Sequence, residues 1–205
     1  CLLSRGLGDV YKRQLCMCRD VTVERQLEKK IIYSANTDQL TDLYNRRYFY
    51  EYMTRNKIMS KHVNLFYIDL DNFKKINDEY GHQAGDTVLV MVAGLLKQTF
   101  GAEFIARVGG DEFLAVVLGS KTDAELAILA ERFLSSLQQT IADNAKFSVL
   151  SASIGIAVSN ALTDVDLLIR QSDSALYEAK RNGKKQYKIY PVSYTHLRAH
   201  ETRGN

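Results

Sequence analysis

Cysteine is scarce in this 205-residue chain and badly placed for cross-linking. Cys1, Cys16 and Cys18 all precede the main body, and Cys16-Met17-Cys18 is not a Cys-x-x-Cys pair. No His or Cys cluster completes a zinc site. This excludes a disulfide framework and reads as free thiols in a reducing, cytoplasmic compartment. Long apolar runs are also missing. Residues 88–96 are the best candidate, flanked by Asp86 and Lys97, and fall well short of the roughly 18 residues of a membrane span. No membrane contact is expected from this segment, and an anchor further upstream stays open. Charge of one sign is the third absence. The formal net charge is +3, but residues 1–14 carry +2 and residues 192–205 carry +1, leaving residues 15–191 neutral. A neutral body excludes the electrostatic footprint of a polymeric nucleic-acid binder. There is no internal repeat and no low-complexity tract.

What is present divides into five stretches. Residues 1–14 and 192–205 lack a helix or strand period and read as non-native or disordered tails. Residues 15–21 read as a short strand. Residues 22–35 read as a helix with an apolar stripe of Val23, Leu27, Ile31 and Ile32. A compact body then runs over residues 36–191. It is expected to hold helices at 41–58, 71–80 (closed by Gly81), 83–99, 122–140 (opened by a Thr122-x-x-Glu125 capping box) and 164–181. Strands are expected at 63–70, 147–158 and 187–190. The near-continuous apolar run at 63–70 predicts a central strand buried on both faces.

The richest stretch is Arg107-Val108-Gly109-Gly110-Asp111-Glu112-Phe113. Strand-like runs on both sides of Gly-Gly predict a tight β-hairpin, with glycines supplying positive φ and letting a ligand approach the backbone. Acids at a glycine tip suggest a metal and a phosphate-bearing ligand; a solvated turn is the plain alternative. A hairpin forces antiparallel pairing, so mixed strands and helices predict an α+β sheet domain.

The strand Leu65-Phe66-Tyr67-Ile68-Asp69-Leu70-Asp71 ends in carboxylates. An acid at the end of a buried strand needs a partner, and a divalent cation such as Mg²⁺ takes oxygen ligands together with substrate phosphates. If this strand neighbours the hairpin, Asp69 and Asp111 converge on one edge, the arrangement for one or two metals bridging a nucleoside triphosphate. Asp69 as a helix cap is the alternative, although Asp71 suits that cap better. Asn77 and Asp86 together offer a donor and acceptors that fit the edge of guanine and mismatch adenine; each could instead cap a helix or turn. Lys74 can meet a phosphate as a point charge. Lys180 and Lys184, one turn apart at a helix end, either complement the helix dipole or clamp phosphates.

Taken in order, Asp38-Gln39-Leu40-Thr41, the Asp69 strand, Asn77-Asp78 with Gly81-His82 and Gly85-Asp86, Gly109 to Phe113, Ser153-Ile154-Gly155-Ile156-Ala157 and residues 175–184 resemble a GGDEF-domain diguanylate cyclase. Residues 19–28 resemble the exit of a PAS sensor domain into a signalling helix, which would be a parallel coiled-coil connector. The GGDEF resemblance implies a palm-like, mainly antiparallel sheet flanked by helices, related to adenylyl cyclases and polymerases. It implies two Mg²⁺ (or Mn²⁺) ions and one GTP per subunit, with two subunits facing each other to make cyclic di-GMP and two pyrophosphates. The homodimer would be assembled by a sensor upstream.

By resemblance, Asp69, Asp111 and the Leu70 carbonyl bind metal. Asp111, Glu112 and Lys74 form the catalytic set, and which acid assists the 3′-hydroxyl stays open. Phe73, Asn77, Asp86, Gly109, Gly110, Lys180 and Lys184 hold substrate. Lys184 stands where the family often has Arg, and Asp42 where Gly is common. Phe100 and Glu103 stand where many members carry an Arg-x-x-Asp inhibitory site, so no product feedback is expected there. A catalytically silent GGDEF module that binds GTP or a protein partner is the alternative from another class. A different palm-type nucleotidyl transferase is a more distant one.

Overall fold

The computed structural model describes residues 22–55, 62–101, 104–142, 144–159 and 164–191. The chain divides into two units at residue 35. The first carries helix α1 (Thr22–Asn36), on which Leu27, Ile31 and Ile32 of the expected apolar stripe are exposed. The strand expected at 15–21, both tails and residues 19–21 of the sensor-like stretch lie outside the described residues.

The second unit is built on a six-stranded sheet: β1 (Tyr44–Asn45), β2 (Val63–Asp71), β3 (Phe104–Arg107), β4 (Glu112–Leu118), β5 (Ser151–Val158) and β6 (Tyr187–Ile189). The spatial order is β1-β3-β4-β2-β5-β6. Pairings β3–β4, β4–β2 and β2–β5 are antiparallel, while β1 and β6 add parallel edges. This is the mainly antiparallel α+β sheet that the sequence predicts. β2 is central, and every residue but Tyr67 is buried, which is why its sequence reads as a continuous apolar run.

Helices cover both faces. Phe66, Ile68 and Leu70 of β2 and Phe113 of β4 pack with α4 (His82–Phe100) and α5 (Asp123–Ala142), through Val88, Leu96, Leu126 and Phe133. On the other face, Val63, Leu65, Leu114 and Ala157 pack with Phe49 of α2 (Arg46–Arg55) and Leu168 of α6 (Val165–Arg181). Alternate residues of one strand thus feed two cores. The capping box at the start of α5 forms, with Glu125 accepting from the Thr122 amide and hydroxyl. No described helix is long and apolar enough to cross a membrane.

Three boundaries differ from expectation. The helix expected from residue 41 begins at Arg46, because Asp38 and Thr41 form a turn and Tyr44–Asn45 pairs with β3; residues 56–61 are not described. The strand expected from residue 147 begins at Ser151, after a single 3₁₀ turn at Ala145–Phe147. Asp71 does not cap a helix. It ends β2, and helix α3 (Phe73–Tyr80) starts only after Asn72, whose φ of 63° breaks the regular backbone. At Asp42, where glycine is common in the resembling family, φ is 56°, a conformation glycine adopts freely and aspartate tolerates.

Candidate active site

β2 and β4 run side by side with Asp69 opposite Glu112. One step further, the Leu70 amide donates to the Asp111 carbonyl at 3.2 Å. This contact carries the ladder into the hairpin tip and fixes Asp111 beside the carboxyl end of β2. The loop closes on itself as the Val108 and Gly109 amides donate to the Glu112 carbonyl at 3.0 and 3.4 Å. Neither Gly109 nor Gly110 has positive φ, so the expected left-handed hairpin glycines are not what the turn uses. Gly109 serves by its size: a Cβ there would run into the Glu112 carboxylate. Gly110 has open space around it.

Arg107 holds the tip from outside. Its Nε and one terminal nitrogen donate to the Gly110 carbonyl at 3.2 and 2.8 Å, and its other terminal nitrogen donates to Asp38 Oδ1 at 3.0 Å. Asp38 also accepts from the Thr41 hydroxyl and amide at 2.6 and 2.9 Å. Burial works to raise the Asp38 carboxyl, but the bonds from Thr41 and Arg107 outweigh it and hold the group below the usual range. The pair is mostly enclosed, at 15% and 27% exposure. Arg107→Ala is therefore expected to cost about 2–3 kcal/mol, since it strips the carboxylate of its partner and frees the Gly110 carbonyl. Arg107→Lys should recover less than half of that, lacking the planar fork. Denaturant titrations of the three proteins check this; an alanine variant as stable as the parent rules out the clasp.

Behind the tip lies a cavity of about 340 Å³ walled by Asp69, Asp111, Lys74, Lys75, Lys180 and Lys184, with Leu70, Asp71 and Phe73 also on its wall. Lys180 reaches down from the last turn of α6 to Asp69 Oδ2 at 2.7 Å. α6 can lie this close because residue 155 is glycine: a Cβ there would meet the Ser172 carbonyl and the Leu176 amide of α6. Burial, and next the Asp69 charge, push the Asp111 carboxyl above the usual aspartate range, against smaller opposing effects of Lys180 and Arg107. Glu112 accepts from the Tyr67 hydroxyl; burial first, then the Glu112 charge, push that phenol upward.

Asp69, Asp111, Leu70, Lys74, Phe73, Lys180 and Lys184 are thus brought together around one cavity. Asn77 and Asp86 are not on its wall. Asn77 sits on α3 with its side-chain oxygen against Gly85, and Asp86 follows at an exposed position on α4. Phe73 links the two places: it lines the cavity, and a Cβ on Gly85 would stand 3.2 Å from its ring. Phe100, at the end of α4, is buried edge-on against Phe66, and Glu103 lies outside the described residues. Tyr67, Asp38 and Asp71 carry contacts that the sequence did not mark as part of a site. Arg107 was visible there as a neighbour of the glycines, without its partner.

Among the described residues, no group of three or more His, Cys, Asp or Glu side chains could by itself hold a metal. Two carboxylates facing a cavity fit a hard cation that completes its shell with phosphate oxygens and water. The ammonium of Lys180 on Asp69 and the raised Asp111 carboxyl both show that this corner favours added positive charge. The four lysines around it suit the phosphates.

The protein-family model described as "Diguanylate cyclase, GGDEF domain" matches residues 35–186. Diguanylate cyclase DgcM of Escherichia coli (strain K12) is 32% identical over 188 residues, covering 88% of this chain and 45% of that protein. Cyclic di-GMP phosphodiesterase PdeR of the same organism is 35% identical over 180 residues, covering 86% of this chain and 27% of that protein. The chain therefore spans less than half the length of these curated relatives. Among solved structures, the coiled coil and GGDEF domain of DgcB from Caulobacter crescentus, in complex with c-di-GMP, overlays with a TM-score of 0.77. It covers 88% of this chain and 98% of that one at 24% identity, a likeness of fold.

Proposed function

This chain belongs to the GGDEF family of diguanylate cyclase domains, and from that membership and its site we propose that it condenses two GTP into cyclic di-GMP and two pyrophosphates. The observation that carries the reading is the meeting of Asp69 and Asp111 on a cavity rimmed by Lys74, Lys75, Lys180 and Lys184. Asp69, Asp111 and the Leu70 carbonyl would hold Mg²⁺ or Mn²⁺, two ions per site. When bound, the metal supplies charge neutralisation at the triphosphate and lowers the cost of ionising a hydroxyl.

The chain's own residues do the rest. Lys74, Lys180 and Lys184 draw the phosphates into the cavity. Lys180, which meets Asp69 in the free chain, would turn part of that contact to a phosphate oxygen of the substrate. Gly109, without a side chain, leaves room for Glu112 beside the nucleotide. Either Asp111 or Glu112 accepts the proton of the 3′-hydroxyl; the Tyr67 hydroxyl on Glu112 orients that carboxylate. Asn77 and Asp86, beside Phe73 and Gly85, read the guanine edge, with Asn77 accepting and donating and Asp86 only accepting. One such site holds one GTP, so the reaction takes two copies facing each other, each 3′-hydroxyl aimed at the partner's α-phosphate. The upstream sensor that would bring them together is part of the same proposal, as is a cytoplasmic setting.

The test is incubation of the protein, dimerised through a fused coiled coil, with GTP and Mg²⁺, followed by chromatography for cyclic di-GMP. Product supports the reading. GTP bound without product sinks it in favour of a silent binding module, a role in keeping with the phosphodiesterase name of one relative. Asn77→Ala is expected to weaken GTP binding about tenfold, the loss of one well-made polar contact, and to shrink the preference over ATP by the same factor. Competition titrations with both nucleotides check it; equal losses for ATP and GTP refute the base-reading role.

A further inference from the structure

Asp71 lies two residues beyond Asp69 on the same face of β2, yet it does a different job. It is only 3% exposed, and its carboxylate is met by neutral donors. Ser151 Oγ donates to Oδ2 at 2.9 Å, Ser153 Oγ reaches both oxygens at 3.0 Å, and the Lys185 amide donates to Oδ2 at 3.2 Å. The two serines are the β5 residues opposite Asp71 and Asp69, so they aim the carboxylate rather than being aimed by it.

The Lys185 amide belongs to an unusual turn. Gly183, Lys184 and Lys185 follow α6 with φ of 111°, 62° and 51°. Two consecutive side-chain-bearing residues in the left-handed region are disfavoured and persist only where surroundings hold them. On one side the turn is tied to α6: the Lys184 amide donates to the Ala179 carbonyl at 3.1 Å, and the Gln186 amide group donates to the Ala179 and Asn182 carbonyls at 3.1 and 2.7 Å. On the other side, the turn is tied to the sheet, through the Ile154 amide of β5, which donates to the Gln186 carbonyl at 3.0 Å, and through the end of β2. Besides the Asp71 contact, Lys184 Nζ donates to Asn72 Oδ1 at 3.4 Å, and Asn72 is anchored through its Nδ2 to the Val149 carbonyl at 2.9 Å. Lys184 is on the cavity wall.

We propose that Asp71 is a positioning residue for the phosphate end of the substrate. Its carboxylate pins the Lys184–Lys185 turn and so sets the Lys184 ammonium at the cavity rim, where the outer phosphates of a nucleoside triphosphate lie. The proposal rests on the reading of this cavity as a GTP site. It assigns Asp71 neither metal nor proton transfer. It explains why a second acid follows Asp69 at a buried position.

The experiment is calorimetric titration of the full chain with 3′-deoxy-GTP, which lacks the attacking hydroxyl, and with GMP, which lacks the β- and γ-phosphates, both with Mg²⁺. Asp71→Ala is expected to weaken 3′-deoxy-GTP by about tenfold, equivalent to about 1.4 kcal/mol, and to leave GMP within about twofold. Asp71→Asn should recover most of the loss, because its amide oxygen still accepts from the Lys185 amide while its nitrogen donates to a serine hydroxyl. If Asp71→Ala does not fold, Ser153→Ala, which removes a bond to each carboxylate oxygen, carries the same comparison with a smaller expected loss. Equal affinity of Asp71→Ala and wild type for 3′-deoxy-GTP overturns the proposal, and so does an equal loss for both nucleotides. Wild type that binds neither nucleotide overturns the GTP reading, and this inference with it.

Discussion

Asp111→Asn is expected, on the proposed function, to lower cyclic di-GMP formation by about a thousandfold or more and at the same time to make the nucleotide-free protein more stable. The first effect follows from losing one of two carboxylates that meet at the cavity, leaving Asp69 to bind the cation with one anionic partner fewer. The second follows from the energetics of the corner. Burial and the neighbouring Asp69 raise the Asp111 carboxyl above its ordinary value near 3.8, so the ionised form is held at a cost. Between the ordinary and the raised value, the folded chain keeps a proton that the unfolded chain has lost. Stability of the free protein therefore falls as pH climbs through that window, and the penalty is fully present above it. The amide removes the penalty, and a higher melting temperature at pH 7 is expected. With Mg²⁺ and GTP added, the order reverses, because only the parent gains binding stabilisation. Melting curves across pH, with and without Mg²⁺ and GTP, check both halves. A variant that melts below the parent without ligand contradicts the assignment of the raised carboxyl.

Gly155→Ala is expected to cost about 3–4 kcal/mol, a large effect for one methyl group. The new Cβ has no room: it meets the backbone of α6 at Ser172 and Leu176 rather than the end of a movable side chain. The helix must lift from the sheet, and Lys180 at its end lifts with it, away from Asp69. A fall in melting temperature of roughly 10 °C is expected for a domain of this size, together with weaker phosphate binding in whatever fraction remains folded. Gly94, with open space around it on α4, is the matched control, and Gly94→Ala should leave stability equal or slightly higher. Equal melting of the two alanine variants would falsify the close-approach account.

Much of this was legible in the sequence, and the residues that were not share a cause. The central strand announced itself by an unbroken apolar run ending in acids, and the hairpin by glycines between two apolar stretches. Their adjacency was only a condition there, and the β2–β4 pairing meets it. Gly155 was visible as a glycine inside a strand, a mark of close backbone approach, but the approaching helix was not. Asp71 read as a cap because an acid before a helix usually is one; its real partners, Ser151, Ser153 and Lys185, lie far along the chain. Asp38 and Arg107 are hidden for the same reason. The hairpin glycines were expected to supply a left-handed backbone, which neither adopts; Gly109 is needed instead for its absent side chain, a distinction only a structure makes. Asn77 and Asp86 are off the wall of the main cavity, which the proposed function accommodates by giving them the base and the cavity the triphosphate.

The parts of the site also arrive at different times during synthesis. Asp69 leaves the ribosome with β2 and Asp111 with the β3–β4 hairpin, whereas Lys180 and Lys184 belong to the end of α6, among the last residues of the domain to be made. Translation runs at about 5–20 residues per second, so for several seconds the nascent chain carries both acids without Lys180 and Lys184. β2 in turn cannot acquire its second neighbour until β5 is made, and α6 cannot settle before the strand that carries Gly155. The α6 half of the lysine rim is thus the last part of the cavity to be made, and a chain cut short before α6 keeps Asp69, Asp111, Lys74 and Lys75 but lacks the ammonium that meets Asp69.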